Sequence, residues 1–219
     1  MYVRGVFIMT KQKYINYDEL VKSLREIGND EYCNIREMEI MIVLLMRNGI
    51  SMREIAKLRN SDFDFEKKTV TIKNEKSIRK LKLDDETLYW VKASRDEDGT
   101  IPGTRHQMKI VDDHIIKMST DSYTEEQAIS SIKRRMNKFR DNGFTPISEK
   151  VLVNSKMIDI LDDIVAKRGY VTTDDFKHIQ VQFGNDENSY FSLRRNYEKL
   201  RGKDRIQLQQ RGRKSKNIG

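Results

Sequence analysis

Asn48-Gly49-Ile50-Ser51-Met52-Arg53-Glu54-Ile55-Ala56-Lys57-Leu58-Arg59-Asn60-Ser61-Asp62-Phe63-Asp64 reads as the end of one helix, a tight turn, a second short helix and an exit turn. Gly49 stands where the first helix should end, a position that favours glycine because φ can be positive there. Ser51 and Glu54 have the spacing of a capping box, in which each side chain satisfies an orphan amide at the helix start. Upstream, residues 35–47 carry Ile35, Met38, Ile42, Leu45 and Met46 on a broad apolar face. That pattern predicts a central helix whose methionines fill core. Downstream, Thr69, Val70 and Ile72 suit a strand, and Ile78 to Leu83 form its return, giving a hairpin over residues 68–83. The return strand alternates, which predicts apolar side chains toward the core and charges toward solvent or a ligand.

Further out, Tyr17 to Leu24 has helical spacing. Asp84-Asp85-Glu86 places acids at the positive end of a helix over residues 84–93. Thr124 and Gln127 make a second capping-box pair at the head of a helix over 124–141. Lys133, Arg134, Arg135, Lys138 and Arg140 decorate that helix, either to grip phosphates or as a solvated basic face. Further helices are expected from Ser148 or Ser155 to Lys167, over 174–183 and over 188–201. From Arg194 to the end there are ten Lys or Arg and two acids.

The 219 residues carry a net charge of +8 at pH 7, and 35% of them are charged. That balance favours an anionic partner, nucleic acid before membrane. The single cysteine, Cys33, excludes an internal disulfide and suits a reducing, cytoplasmic setting. No apolar run approaches the ~18 residues of a membrane span. His106 and His114 lack a neighbouring cysteine, so neither a metal nor another cofactor is expected.

The opening stretch resembles the catalytic domain of tyrosine recombinases (phage integrases). There a turn of the type Thr-Gly-Leu-Arg-x-x-Glu-Leu precedes Leu-x-x-x-Asp-hydrophobic-Asp and a hairpin bearing a catalytic Lys. Gly49, Ile50, Glu54, Ile55, Leu58, Asp62, Phe63 and Asp64 match. The resemblance implies a mainly α fold with a small β-hairpin or sheet. It implies an N-terminal arm and helix over 1–30, an integrase-like domain over 31–205 and a basic flexible tail over 206–219. No separate core-binding domain is expected in this chain. The family's first catalytic Arg falls at Ser51, with Arg53 two residues on. The hairpin Lys falls at Lys73 or Lys76, with Lys76 at the tip the better match. Gly169, Ile179 and Gly184 fit the later spacing, but no His-x-x-Arg stands near Ser148 to Val151, and Asn185 replaces the second His. Tyr197 best matches the nucleophile, with Tyr190 second.

A Tyr and a Lys without the paired guanidiniums make a poor strand-transfer site, because those forks neutralise the phosphorane-like transition state. The resemblance extends to repressors of certain temperate phages that have a recombinase fold and no recombinase activity. The reading is therefore a non-catalytic, repressor-like DNA-binding regulator of a phage or mobile element, associated with the nucleoid and open to homo-oligomerisation. Its expected contacts to double-stranded DNA are Arg53, Lys73, Lys76, Arg79, Lys80, Arg134, Arg135, Lys138, Arg194, Arg195, Lys199 and Arg201. Two alternatives stand beside it. One is an active recombinase using Tyr197 with Arg53, Lys76 and Arg194 or Arg195; the other is a protein-interaction module.

Overall fold

The second helix, α2 (Arg36–Arg47), is buried from Met38 onward on every side, which is the pattern of a helix at the centre of its domain. The computed structural model describes residues 14–27, 36–74, 77–99, 107–141 and 147–207. The chain divides into two compact units after Ser155. No helix among the described residues is long and apolar enough to cross a membrane.

In the first unit, α1 (Tyr17–Ile27) is capped by Asn16, whose side chain accepts from the amides of Asp18 and Glu19. Leu20 and Leu24 enter the same core as α2. Arg47, at the end of α2, is buried, donates to the Ile15 carbonyl at 3.3 Å and lies 4.9 Å above the Tyr17 ring. This cation–π contact ties the start of the first helix to the central one. At Gly49, φ is +84°; its amide bonds Met46 and the next amide bonds Leu45. These two reverse bonds end α2 and satisfy its last carbonyls.

The short helix α3 (Met52–Ile55) follows, then a 3₁₀ turn at Asn60–Asp62. Strands β1 (Phe63–Asp64), β2 (Thr69–Asn74) and β3 (Ser77–Lys82) form an antiparallel sheet in that order. Helix α4 (Asp85–Asp96) packs on α2, where Asn48 donates to Thr87 at 3.0 Å. The loop over 107–124 returns to the turn. Asp113 accepts the Asn60 amide through its carbonyl and the Ser61 amide through its carboxylate. Helix α5 (Glu125–Asp141) buries Ala128, Ile132 and Met136.

Helix α6 (Glu149–Arg168) begins in the first unit and ends in the second. The second unit continues with α7 (Thr173–Gln182), a 3₁₀ turn at Glu187–Ser189 and α8 (Tyr190–Arg201). Its buried residues include Leu161, Val171, Phe176, Ile179, Leu193 and Tyr197. After α8 the chain turns back, and Ile206 pairs with Val171 in a parallel bridge.

The architecture is mostly helical with one small sheet, as the hydrophobic periodicity implies. The sheet gains a third strand, β1, too short to be read from two residues of sequence. The alternation of β3 runs in the opposite phase at its start. Ile78 points outward and is 70% exposed, while Arg79 takes the inward register opposite Ile72.

Two buried charge groups shape the first unit. The Arg135 guanidinium donates to Glu39 at 2.9 Å, with both side chains under a tenth exposed. Removing one partner strands a buried charge, at a cost of about 3–5 kcal/mol. Arg135→Met should therefore lower unfolding stability by that order in chemical denaturation. The double variant with Glu39→Leu should recover most of the loss. At the head of α2, the Glu97 carboxylate accepts the Glu37 amide at 3.0 Å, with the Lys117 ammonium 3.5 Å away. Burial and the neighbouring Glu37 push Glu97 up to about 9, and Lys117 offsets them only in part. Its folded pKa lies above its unfolded value of 4.5, so the native state holds the extra proton between the two. Stability should fall as pH rises from about 5 to 9. Thermal melts of Glu97→Gln across that range should show a flatter slope.

Candidate nucleic-acid interface

Ser51 caps α3. Its hydroxyl accepts the Glu54 amide at 3.3 Å, and the Glu54 carboxylate accepts the Ser51 amide at 2.8 Å. This is the capping box expected from the spacing. The same carboxylate accepts Nη2 of Arg79 from β3 at 2.9 Å, and that nitrogen also donates to the Gly49 carbonyl at 3.0 Å. A guanidinium therefore lies against residues 49–54, delivered by the sheet and held by Glu54. Nothing in the sequence marks this pair, because the partners lie 25 residues apart.

Beside this turn, Glu54, Lys57, Leu58, Arg59, Ser61, Asp62, Ile72 and Lys73 line a cleft of about 340 Å³. Lys73 pairs with Asp62 at 2.9 Å and Lys57 with Glu125 at 3.3 Å. Arg59 and His114 meet in an antiparallel bridge, and the His114 ring stacks flat on Tyr123 at 3.7 Å. The Tyr123 hydroxyl donates to the Ala56 carbonyl at 2.5 Å. His114 is thus a packed residue of this loop, its Nδ1 3.1 Å from the Val111 carbonyl. Lys57 and Arg59 were passed over in the sequence because they look like ordinary solvent-facing cations of a short helix.

The expected DNA contacts fall into three groups. Arg53, Lys80, Arg134, Arg195 and Lys199 are exposed and form no ion pair among the described residues. Lys73, Arg79, Arg135, Arg194 and Arg201 are engaged within the protein. Arg135 is the clearest correction: it is buried on Glu39 and belongs to the core rather than to a basic surface. Its neighbours Lys133 and Arg134 face solvent, so a step of one residue along the helix separates the two fates. Arg79 is a largely buried clasp, and Arg194 pairs with Glu198 one turn along α8 at 2.8 Å. Lys76 lies outside the described residues, as does the side chain of Lys138.

Tyr197 is wholly buried. Its hydroxyl donates to Asp162 at 3.0 Å, and its ring meets Phe176 edge-on at 5.8 Å. Asp162 also accepts Nε of Arg201 at 2.9 Å, with Arg205 3.8 Å away. Burial, then the Asp162 carboxylate, pushes the Tyr197 phenol up to about 12. A phenol so placed is held as a donor to Asp162, and its burial beside a carboxylate disfavours ionisation. In the sequence Asp162 stands beside Asp163 and carries no signal of its partners. Tyr190, the second choice, stacks on the exposed Phe191 at 4.0 Å.

Solved structures share this fold. The XerA recombinase aligns with a TM-score of 0.57 at 16% identity, over 86% of this chain and 65% of that one. The XerH site-specific recombinase bound to difH substrate, in a pre-cleavage complex, aligns with a TM-score of 0.54 at 19% identity, over 87% of this chain and 53% of that one. The chain thus spans less than two thirds of these relatives. No curated protein sequence is significantly similar. The family model described as "MrpR, C-terminal catalytic domain" matches residues 22–201. With most of its length covered by that match, and with the tyrosine-recombinase fold around it, the chain belongs to the family of the MrpR C-terminal catalytic domain.

Proposed function

We propose that this protein binds double-stranded DNA as a non-catalytic regulator of a phage or mobile element, on a fold otherwise used for strand exchange. The observation that carries the reading is the state of Tyr197, buried and with its hydroxyl committed to Asp162. The first-arginine position agrees with it, since Ser51 is spent on capping α3. A phosphoryl-transfer site needs donors aimed at the developing charge, and loss of one such donor typically costs on the order of 10²–10³ in rate. Here Ser51 stands where the leading guanidinium is expected, and the phenol expected to attack is buried. The DNA surface does not depend on either. Arg53, Lys80, Arg134, Arg195 and Lys199 remain exposed for phosphates, which supply affinity without chemistry.

The test uses a nicked suicide duplex from the host element and the full chain. A native gel at two salt concentrations should show a complex that weakens steeply with salt. A denaturing gel should show no covalent adduct. Each phosphate contact contributes about −0.9 to the slope of log affinity against log salt, so Lys80→Ala and Arg134→Ala should each flatten it by about one. An adduct that disappears in Tyr197→Phe would establish an active recombinase instead. Absence of any complex at low salt would leave a protein-interaction module.

A further inference from the structure

A second cleft, of about 440 Å³, opens between α5 and the loop that precedes it. That volume falls in the range of small-molecule sites. Met108 and Met118 are buried and give it an apolar side, and a bridge between Lys109 and Met118 holds the loop together there. The other side is one stripe of α5, with Glu126, Ser130, Ser131 and Arg134 at helical spacing. Ser131 is only 5% exposed, and its Oγ has no hydrogen-bond partner. A buried helical serine can satisfy itself on the carbonyl one turn back, as Ser155 does on Val151 at 2.8 Å. Ser131 makes no such bond and instead lines the cleft. Glu126 and Arg134 stand exposed on the rim and form no ion pair among the described residues. Eight residues of helix set their Cα atoms about 12 Å apart, beyond the i+3 and i+4 spacing at which helix charges pair.

A buried hydroxyl without a partner weakens the native state, and a group supplied from outside would complete it. Methionine side chains adapt to apolar groups of varied shape. The two rim charges exclude simpler ligands. A monoanion would meet like charge at Glu126, and a monocation would meet it at Arg134. A free amino acid is zwitterionic, but its ammonium and carboxylate lie too close together to reach both ends of the stripe. An extended chain gains about 3.3–3.6 Å per residue, so three or four residues span about 12 Å. We infer that this cleft binds a short peptide with free termini. Its ammonium lies at Glu126, and its carboxylate takes the Arg134 fork, whose paired donors match carboxylate geometry. An apolar side chain fills the space against Met108 and Met118, and a backbone group completes Ser131 Oγ. The inference concerns a ligand other than DNA and does not depend on the DNA-binding reading above.

The experiment uses the full chain and a library of tri- and tetrapeptides with free termini and Leu, Met or Phe at an interior position. Thermal shift selects binders, and calorimetry measures their affinity. At least one peptide should raise the melting temperature at roughly 1 mM and bind more tightly than its constituent amino acids. Acetylating its amine or amidating its carboxylate should each weaken wild-type binding about ten-fold. Glu126→Gln should bind the free and acetylated peptides alike, and Arg134→Gln should bind the free acid and the amide alike. Both are surface changes, so their unliganded melting temperatures should match wild type. Ser131→Ala should weaken the peptide about five-fold. It should leave the unliganded melting temperature unchanged or raised, because it removes an unpartnered hydroxyl. If no library member shifts the melting temperature, the inference is overturned. A binder insensitive to capping of either end also overturns it, by pointing to an internal protein segment as the occupant. Unchanged affinity in Ser131→Ala would overturn it too, by placing the binder elsewhere on the molecule.

Discussion

The Glu54 carboxylate joins three elements: the end of α2, α3 and β3. It completes the cap of α3 through Ser51, and it holds Arg79 of β3 against the carbonyl that ends α2. The pair is about four-fifths buried, so its electrostatic attraction is less screened than that of a surface pair. Because Arg79 takes an inward place in the sheet, Ile78 is forced outward by the two-residue period of a strand. The register of both faces of the β2–β3 ribbon is thus linked to this one ion pair.

The same logic separates the cations of the chain. Arginines that reach a carboxylate in a dry setting become part of the framework, as Arg135 does with Glu39 and Arg201 with Asp162. A guanidinium suits this role because it presents several donors in a fixed plane and is weakly hydrated. Lysines and arginines with no such partner stay at the surface, where an external phosphate is the ligand of matching charge. A basic net charge therefore overstates the basic surface. Part of the positive charge of α5 and α8 serves internal neutralisation.

In the second unit, Asp162 has a position comparable to that of Glu54 in the first. It accepts from Tyr197 and Arg201 and lies near Arg205, joining α6 to α8 and to the returning segment that pairs with Val171. The Tyr197 hydroxyl in this way links α8 to α6.

Local chemistry was legible in the residues themselves. The Gly49 turn, the Ser51–Glu54 capping box, the apolar α2 and the paired strands all depend on contacts within a few residues, and sequence spacing encodes those directly. Tertiary structure alone decided that Arg79 turns inward and Ile78 outward, that Arg135 is core, and that Tyr197 is a buried donor to Asp162. Each outcome depends on a carboxylate between 25 and 96 residues away. Whether a cation or a phenol serves the framework or a ligand is set by which acid the fold brings within about 3 Å of it, and separation along the chain conceals that choice.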